Sequence, residues 1–231
     1  MRTALFLCLQ EAGSCGIMLK NENGDQSMGH ASAAAIWEKK LNISTCAAAY
    51  EKDDANHNRY EPTPYAVLER LAESGWLENG DILVDYGCGK GRVGFFLNYA
   101  LGIRAVGVEY NPGIHCAAAL NAASYIRSAN GSVSFVCESA ENYEINNADC
   151  FYFFNPFSAK ILKTVIGKII ASYFEKPRRM RLFFYYPTDE YLDCLMSEEA
   201  LEVEGEIDCR DLFHNDDPRE RILIFKIAYE I

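Results

Sequence analysis

An α/β fold built on a wound, mostly parallel sheet is what this sequence predicts, on three observations. From Tyr60 onward, helical and strand signals alternate. The first strand runs into a glycine loop that opens a helix, and the last two strands have no helix between them. Five strands, each with a crossover long enough for parallel pairing, and then a directly joined pair make five parallel strands and a C-terminal antiparallel hairpin.

Residues 1–59 differ in character from the rest of the chain. They hold a polar stretch from Lys20 to His30, an alanine-rich candidate helix from Ala31 to Lys40 and a polar run from Glu51 to Asn58, with no convincing strand alternation. The expectation is an N-terminal extension of helices and loops, partly flexible, lying over a main domain of residues 60–231. That domain begins with Tyr60-Glu61-Pro62-Thr63-Pro64-Tyr65, a proline-stiffened lead into a helix with Tyr65, Leu68, Leu71 and Ala72 on one face. Asn79-Gly80 supplies a turn. Asp81–Tyr86 is then the first strand, and Arg92–Leu101 a helix ended by Gly102.

The second strand spans Arg104–Glu109, and Asn111 caps a helix that starts at Pro112 and reaches Tyr125. Val133–Cys137 and Cys150–Phe154 are strands three and four, followed by a helix from Ala159 to Phe174, strand five at Arg181–Tyr186 and a short helix at Asp189–Leu195. Strands six and seven fall at Leu201–Cys209 and Arg221–Ala228. Ile222-Leu223-Ile224-Phe225 is apolar on both faces, so strand seven belongs inside the sheet.

Composition narrows the function. Thirty-three Asp plus Glu against 22 Lys plus Arg give a net charge of -11, which disfavours nucleic acid as a partner. The basic run Lys176-Pro177-Arg178-Arg179-Met180-Arg181 reads as a solvated loop leading into a strand. The nine cysteines are scattered without a C-x-x-C pair, the usage of reduced thiols, and the four histidines lack helical zinc spacing, so no metal site is expected. The apolar run Ala4–Leu9 is cut short by Gln10-Glu11, and no segment reaches the length of a membrane span; a soluble, cytoplasmic protein is expected.

The chemistry concentrates in Val84-Asp85-Tyr86-Gly87-Cys88-Gly89-Lys90-Gly91. Glycines between a strand and a helix permit a tight turn and let a ligand approach bare backbone, while the helix N-terminus offers unpaired N–H groups. Glu109, at the end of strand two, can accept from both ribose hydroxyls of an adenosine lying across the sheet. Gly89–Gly94 is also a formal G-x-G-x-x-G, which keeps a nicotinamide-dependent oxidoreductase as an alternative, although its first glycine falls one step late after the strand.

With these residues the sequence resembles the class I S-adenosylmethionine-dependent methyltransferases over about Tyr60 to Ile231: Asp85–Gly91 is similar to their first motif, Glu109 to their ribose-binding acid and Asn155-Pro156-Phe157 to their fourth motif. The resemblance implies a Rossmann-like sheet of order 3-2-1-4-5-7-6 with helices on both faces, and S-adenosylmethionine as cofactor. It implies cofactor contacts from Asp85, Tyr86, Gly87, Gly89, Gly91 and Glu109. Ser139 and Ala140 fall where relatives contact adenine, Ser139 replacing an aspartate, and Tyr60 and Thr63 where relatives close over the methionine end.

Asn155, Pro156 and Phe157 are the catalytic candidates. The asparagine oxygen can accept from a nucleophile's N–H and aim a nitrogen lone pair at a methyl group, and Phe157 can stack on a planar substrate. Relatives that methylate amino groups carry Asn-Pro-Pro-Tyr; here the second proline is missing and Phe replaces Tyr. The other reading is an Asn-Pro turn ending a strand, with Phe157 in the core. A methyltransferase acting on a nitrogen of a small molecule or protein side chain is expected, with a noncatalytic S-adenosylmethionine-binding module as the competing class.

Overall fold

A computed structural model describes residues 27–46, 57–127, 130–214 and 216–229. In chain order the elements are α1 (Ser27–Leu41), α2 (Tyr65–Glu73), β1 (Ile82–Tyr86), α3 (Arg92–Leu101), β2 (Arg104–Glu109), α4 (Pro112–Ser124), β3 (Ser132–Cys137), β4 (Cys150–Phe153), α5 (Ala159–Glu175), β5 (Arg181–Tyr185), α6 (Asp189–Met196), β6 (Leu201–Asp208) and β7 (Arg221–Ile227). The expected helix ends have their chemical causes in place. Gly102 ends α3 at φ +74, its N–H donating to the Asn98 carbonyl. Asn111 caps α4 by accepting from the N–H groups of Gly113 and Ile114 ahead of the turn that Pro112 starts.

The seven strands form one sheet in the order β3-β2-β1-β4-β5-β7-β6, as expected. β1 through β5 pair in parallel, and β7 pairs antiparallel with both β5 and β6. Successive strand residues point to opposite faces, so each buried strand feeds two cores. Val84, Phe151, Leu182 and Phe225 pack with Ile161, Leu162 and Val165 of α5. Leu83, Tyr152, Phe183 and Ile224 pack on the other side with Leu68 and Leu71 of α2 and Phe95 and Phe96 of α3.

Helix α1 starts at Ser27, four residues before the expected Ala31, and joins the second of these cores. Leu41 and Ile43 are buried there, Trp37 lies edge-on to Phe96 at 4.8 Å, and its indole N–H donates to Glu69 at 2.7 Å. Arg92, buried at the start of α3, ties the segment after α1 down: its guanidinium donates to Thr45 Oγ1 at 2.7 Å, to the Thr63 carbonyl at 3.0 Å and to Cys46 Sγ at 3.0 Å. Among the described residues no helix is long and apolar enough to cross a membrane. Cys46, Cys88, Cys137, Cys150, Cys194 and Cys209 are free thiols.

Candidate functional site

The site lies where β1, β2 and β4 end. β1 stops at Tyr86, and Gly87 turns the chain at φ +69, with its N–H and that of Cys88 donating to the Val108 carbonyl at 2.9 and 3.2 Å. Only glycine fits, because an added Cβ would stand 2.2 Å from Pro156 Cβ. Glu109 braces the loop from the neighbouring strand. Its two carboxylate oxygens accept from the N–H of Gly89 at 3.1 Å and of Asn111 at 2.8 Å, and the side chain is 5 % exposed.

Two adjoining cavities open over this loop. The larger runs between Glu109, Ile114 and Ala140 on one side and Asn58, Asn155 and Pro156 on the other. The smaller is bounded by Thr63, Asp85, Arg92 and Tyr152. Tyr60, Glu61, Gly87 and Phe154 line both. The Tyr60 ring covers Gly89, and its hydroxyl, whose pKa burial raises, donates to the Thr45 carbonyl at 2.7 Å.

A strap crosses the larger cavity. His57 bridges Phe157 as an isolated antiparallel pair and stacks on Tyr110 with 3.6 Å between ring centroids. Asn58 donates from its side chain to the Asn155 carbonyl at 2.7 Å and from its backbone to the Pro156 carbonyl at 3.2 Å. Asn155 itself sits at φ +42, a left-handed conformation that asparagine tolerates, and its Nδ2 donates to the Tyr186 carbonyl at 2.7 Å.

Two buried oxygens in this region have no hydrogen-bond partner, Asp85 Oδ2 and Asn155 Oδ1. A buried acceptor left unpartnered is costly, so acceptors held in a cleft lining are groups that a ligand can satisfy. Burial, and after it the nearby Glu109 charge, raises the Asp85 pKa well above the usual carboxylate value. An acid with a raised folded pKa binds its proton more tightly when folded, so its stabilising contribution is full below the unfolded value and is lost as pH rises toward the folded one. Asp85→Asn should therefore raise the thermal midpoint relative to wild type at about pH 8 and leave the two together at about pH 4. A gap of equal size at both pH values would exclude carboxyl ionisation as its cause.

Most expected site residues gather here, and some do not. Asp85, Gly87, Glu109, Ala140, Tyr60, Thr63, Asn155, Pro156 and Phe157 line one or both cavities. Tyr86 does not present its side chain to the site: it shares a strand face with Val84 and is buried against Phe153, the rings stacked at 5.2 Å. Ser139 is turned into a local bend, its carbonyl accepting from the N–H of Asn142 and Tyr143, while Glu138 and Ala140 line the cavity. Gly91 lines neither cavity; it packs under Phe135 and Phe95 and starts α3. Phe157 reaches the cavity but is 3 % exposed and sits edge-on to Phe153, closer to the core reading than to a free stacking platform.

No protein-family model matches the sequence, and no curated protein sequence matches it. Solved structures do resemble the fold. Magnesium protoporphyrin IX methyltransferase from Synechocystis PCC 6803, solved with bound S-adenosylmethionine, is 14 % identical at TM-score 0.53, with 71 % of this chain and 77 % of that one covered. Ribosomal protein L11 methylase from Lactobacillus delbrueckii subsp. bulgaricus is 14 % identical at TM-score 0.52, with 71 % and 78 % covered. Precorrin 8w decarboxylase from Methanobacterium thermoautotrophicum is 17 % identical at TM-score 0.51, with 74 % and 93 % covered. At these identities the shared property is the fold.

Proposed function

We propose that this chain is an S-adenosylmethionine-dependent methyltransferase that transfers a methyl group to a nitrogen of a small molecule or protein side chain. One observation carries the reading: a single cleft at the ends of β1, β2 and β4 is lined by the Gly87 turn, Glu109 and Asn155, whose Oδ1 is buried without a hydrogen-bond partner. Glu109 would hold the ribose hydroxyls, apolar Ile114 and Ala140 would flank the adenine, and Asp85 with Thr63 would face the methionine end. The cofactor supplies a methyl group on a sulfonium, whose departure leaves a neutral thioether, so alignment matters more than an acid catalyst. Asn155 Oδ1 accepts from the acceptor's N–H and orients its lone pair, while its Nδ2, held by Tyr186, fixes the amide. Tyr60 and the His57–Asn58 strap exclude water from the cleft. Two of the neighbours named above are methyltransferases, which supports the reaction class, and their different acceptors leave the acceptor to be found by assay.

Calorimetric titration of the full chain with S-adenosylmethionine, S-adenosylhomocysteine and NAD tests the cofactor. Saturable binding of the two sulfur nucleotides and none of NAD is expected; NAD binding alone, or binding of none, overturns the reading. Once an acceptor is in hand, Asn155→Ala should lower turnover by about a hundredfold while S-adenosylhomocysteine affinity stays within about twofold. Unchanged turnover would remove Asn155 from the reaction.

A further inference from the structure

Deepening the methyltransferase reading, and resting on it, we propose that a third cavity beside the cleft anchors the methyl acceptor by a cationic group, an ammonium or guanidinium that is separate from the neutral nitrogen that is methylated. This cavity is walled by Phe154, Tyr185, Tyr186 and Phe213, and its charged groups are Glu61 and Glu220. Glu61 and Phe154 also line both cavities over the glycine loop, so the three spaces share one wall. A ligand in the third space therefore abuts the cofactor cleft.

Its chemistry favours positive charge. Glu220 is 7 % exposed and accepts from the Tyr185 hydroxyl at 2.7 Å. Burial, and then that bond to Glu220, raise the Tyr185 pKa, so the phenol stays the donor of the pair. A carboxylate at the end of an aromatic box attracts a cation by Coulomb interaction, and the ring faces add cation–π attraction. Tyr186 already carries one such contact, the Arg219 guanidinium 4.4 Å from its ring centroid, with that arginine paired to Asp217 at 2.7 Å. An anionic acceptor would meet the carboxylates of Glu61 and Glu220.

Position completes the argument. The Tyr186 carbonyl accepts from Asn155 Nδ2, so the aromatic wall and the asparagine assigned to orient the nitrogen are joined by one hydrogen bond. The left-handed conformation of Tyr186, φ +52, and its hydroxyl bond to Asp217 at 2.6 Å hold the wall in place.

The test titrates the full chain, saturated with S-adenosylhomocysteine, with benzyltrimethylammonium, 2-phenylethylamine, 2-phenylethanol and 3-phenylpropanoate. The two cations should bind at least about tenfold more tightly than the neutral and anionic probes. Glu220→Gln should narrow that preference without changing S-adenosylhomocysteine affinity; the exposed Glu61→Gln, at a residue that also lines the cofactor cleft, should narrow it too and serves if the first does not fold. Equal binding of all four probes, tighter binding of the carboxylate, no binding of any, or a preference untouched by both substitutions overturns the proposal. Absence of S-adenosylhomocysteine binding overturns the cofactor reading instead, and the same probes titrated on the free chain then decide the cavity's charge preference by itself.

Discussion

Glu109→Ala is expected to weaken S-adenosylhomocysteine binding by about a hundredfold or more, since two hydrogen bonds from ribose hydroxyls to a buried carboxylate contribute about 1.5 kcal/mol or more each. The substitution also strips the N–H groups of Gly89 and Asn111 of their acceptors, which should lower the unfolding free energy by about 2 kcal/mol. Ligand chemistry separates these two losses. Wild type should prefer adenosine to 2′,3′-dideoxyadenosine, and Glu109→Ala should lose that preference whatever happens to its stability. An alanine variant that still discriminates the two nucleosides would show that Glu109 only braces the loop.

The loop and its acid were legible because they are local. A strand that stops at Tyr86, glycines at 87, 89 and 91 and an acid at the end of the next strand follow from periodicity and backbone freedom, and β1 to β7 lie within about one residue of the expected ends. The face of Tyr86 was legible too, since strand period two places it with Val84 in the core; its motif position pointed the other way. What stayed hidden depends on long-range contact. Asn58 meets Asn155 across 97 residues, and Arg92 meets Thr45 across 47, and no local pattern marks either pair. The third cavity assembles Glu61, Phe154, Tyr186 and Glu220 from four separate segments, so its lining exists only in the fold. Tyr110 could have been found as the residue directly after Glu109.

Gly87→Ala should abolish S-adenosylhomocysteine binding and turnover together and lower the unfolding free energy by about 3 kcal/mol. An L-residue at φ +69 costs about 1 kcal/mol in backbone strain, and the new methyl carbon would stand 2.2 Å from Pro156 Cβ, far inside contact distance. Something must move, and the proline ring cannot rotate away. Pro156 would be pushed off the loop together with Asn155 and the Asn58 bonds that tie the strap to them, so the cofactor and acceptor sides of the cleft would part at once. Gly75→Ala supplies the control: Gly75 has φ +76 with nothing within 4 Å of an added Cβ, so it bears the backbone cost alone, about 1 kcal/mol. The difference between the two variants in chemical denaturation isolates the Gly87–Pro156 contact. If Gly87→Ala is no less stable than Gly75→Ala and still binds S-adenosylhomocysteine, the close approach of the fourth motif to the glycine loop is not what shapes the cleft.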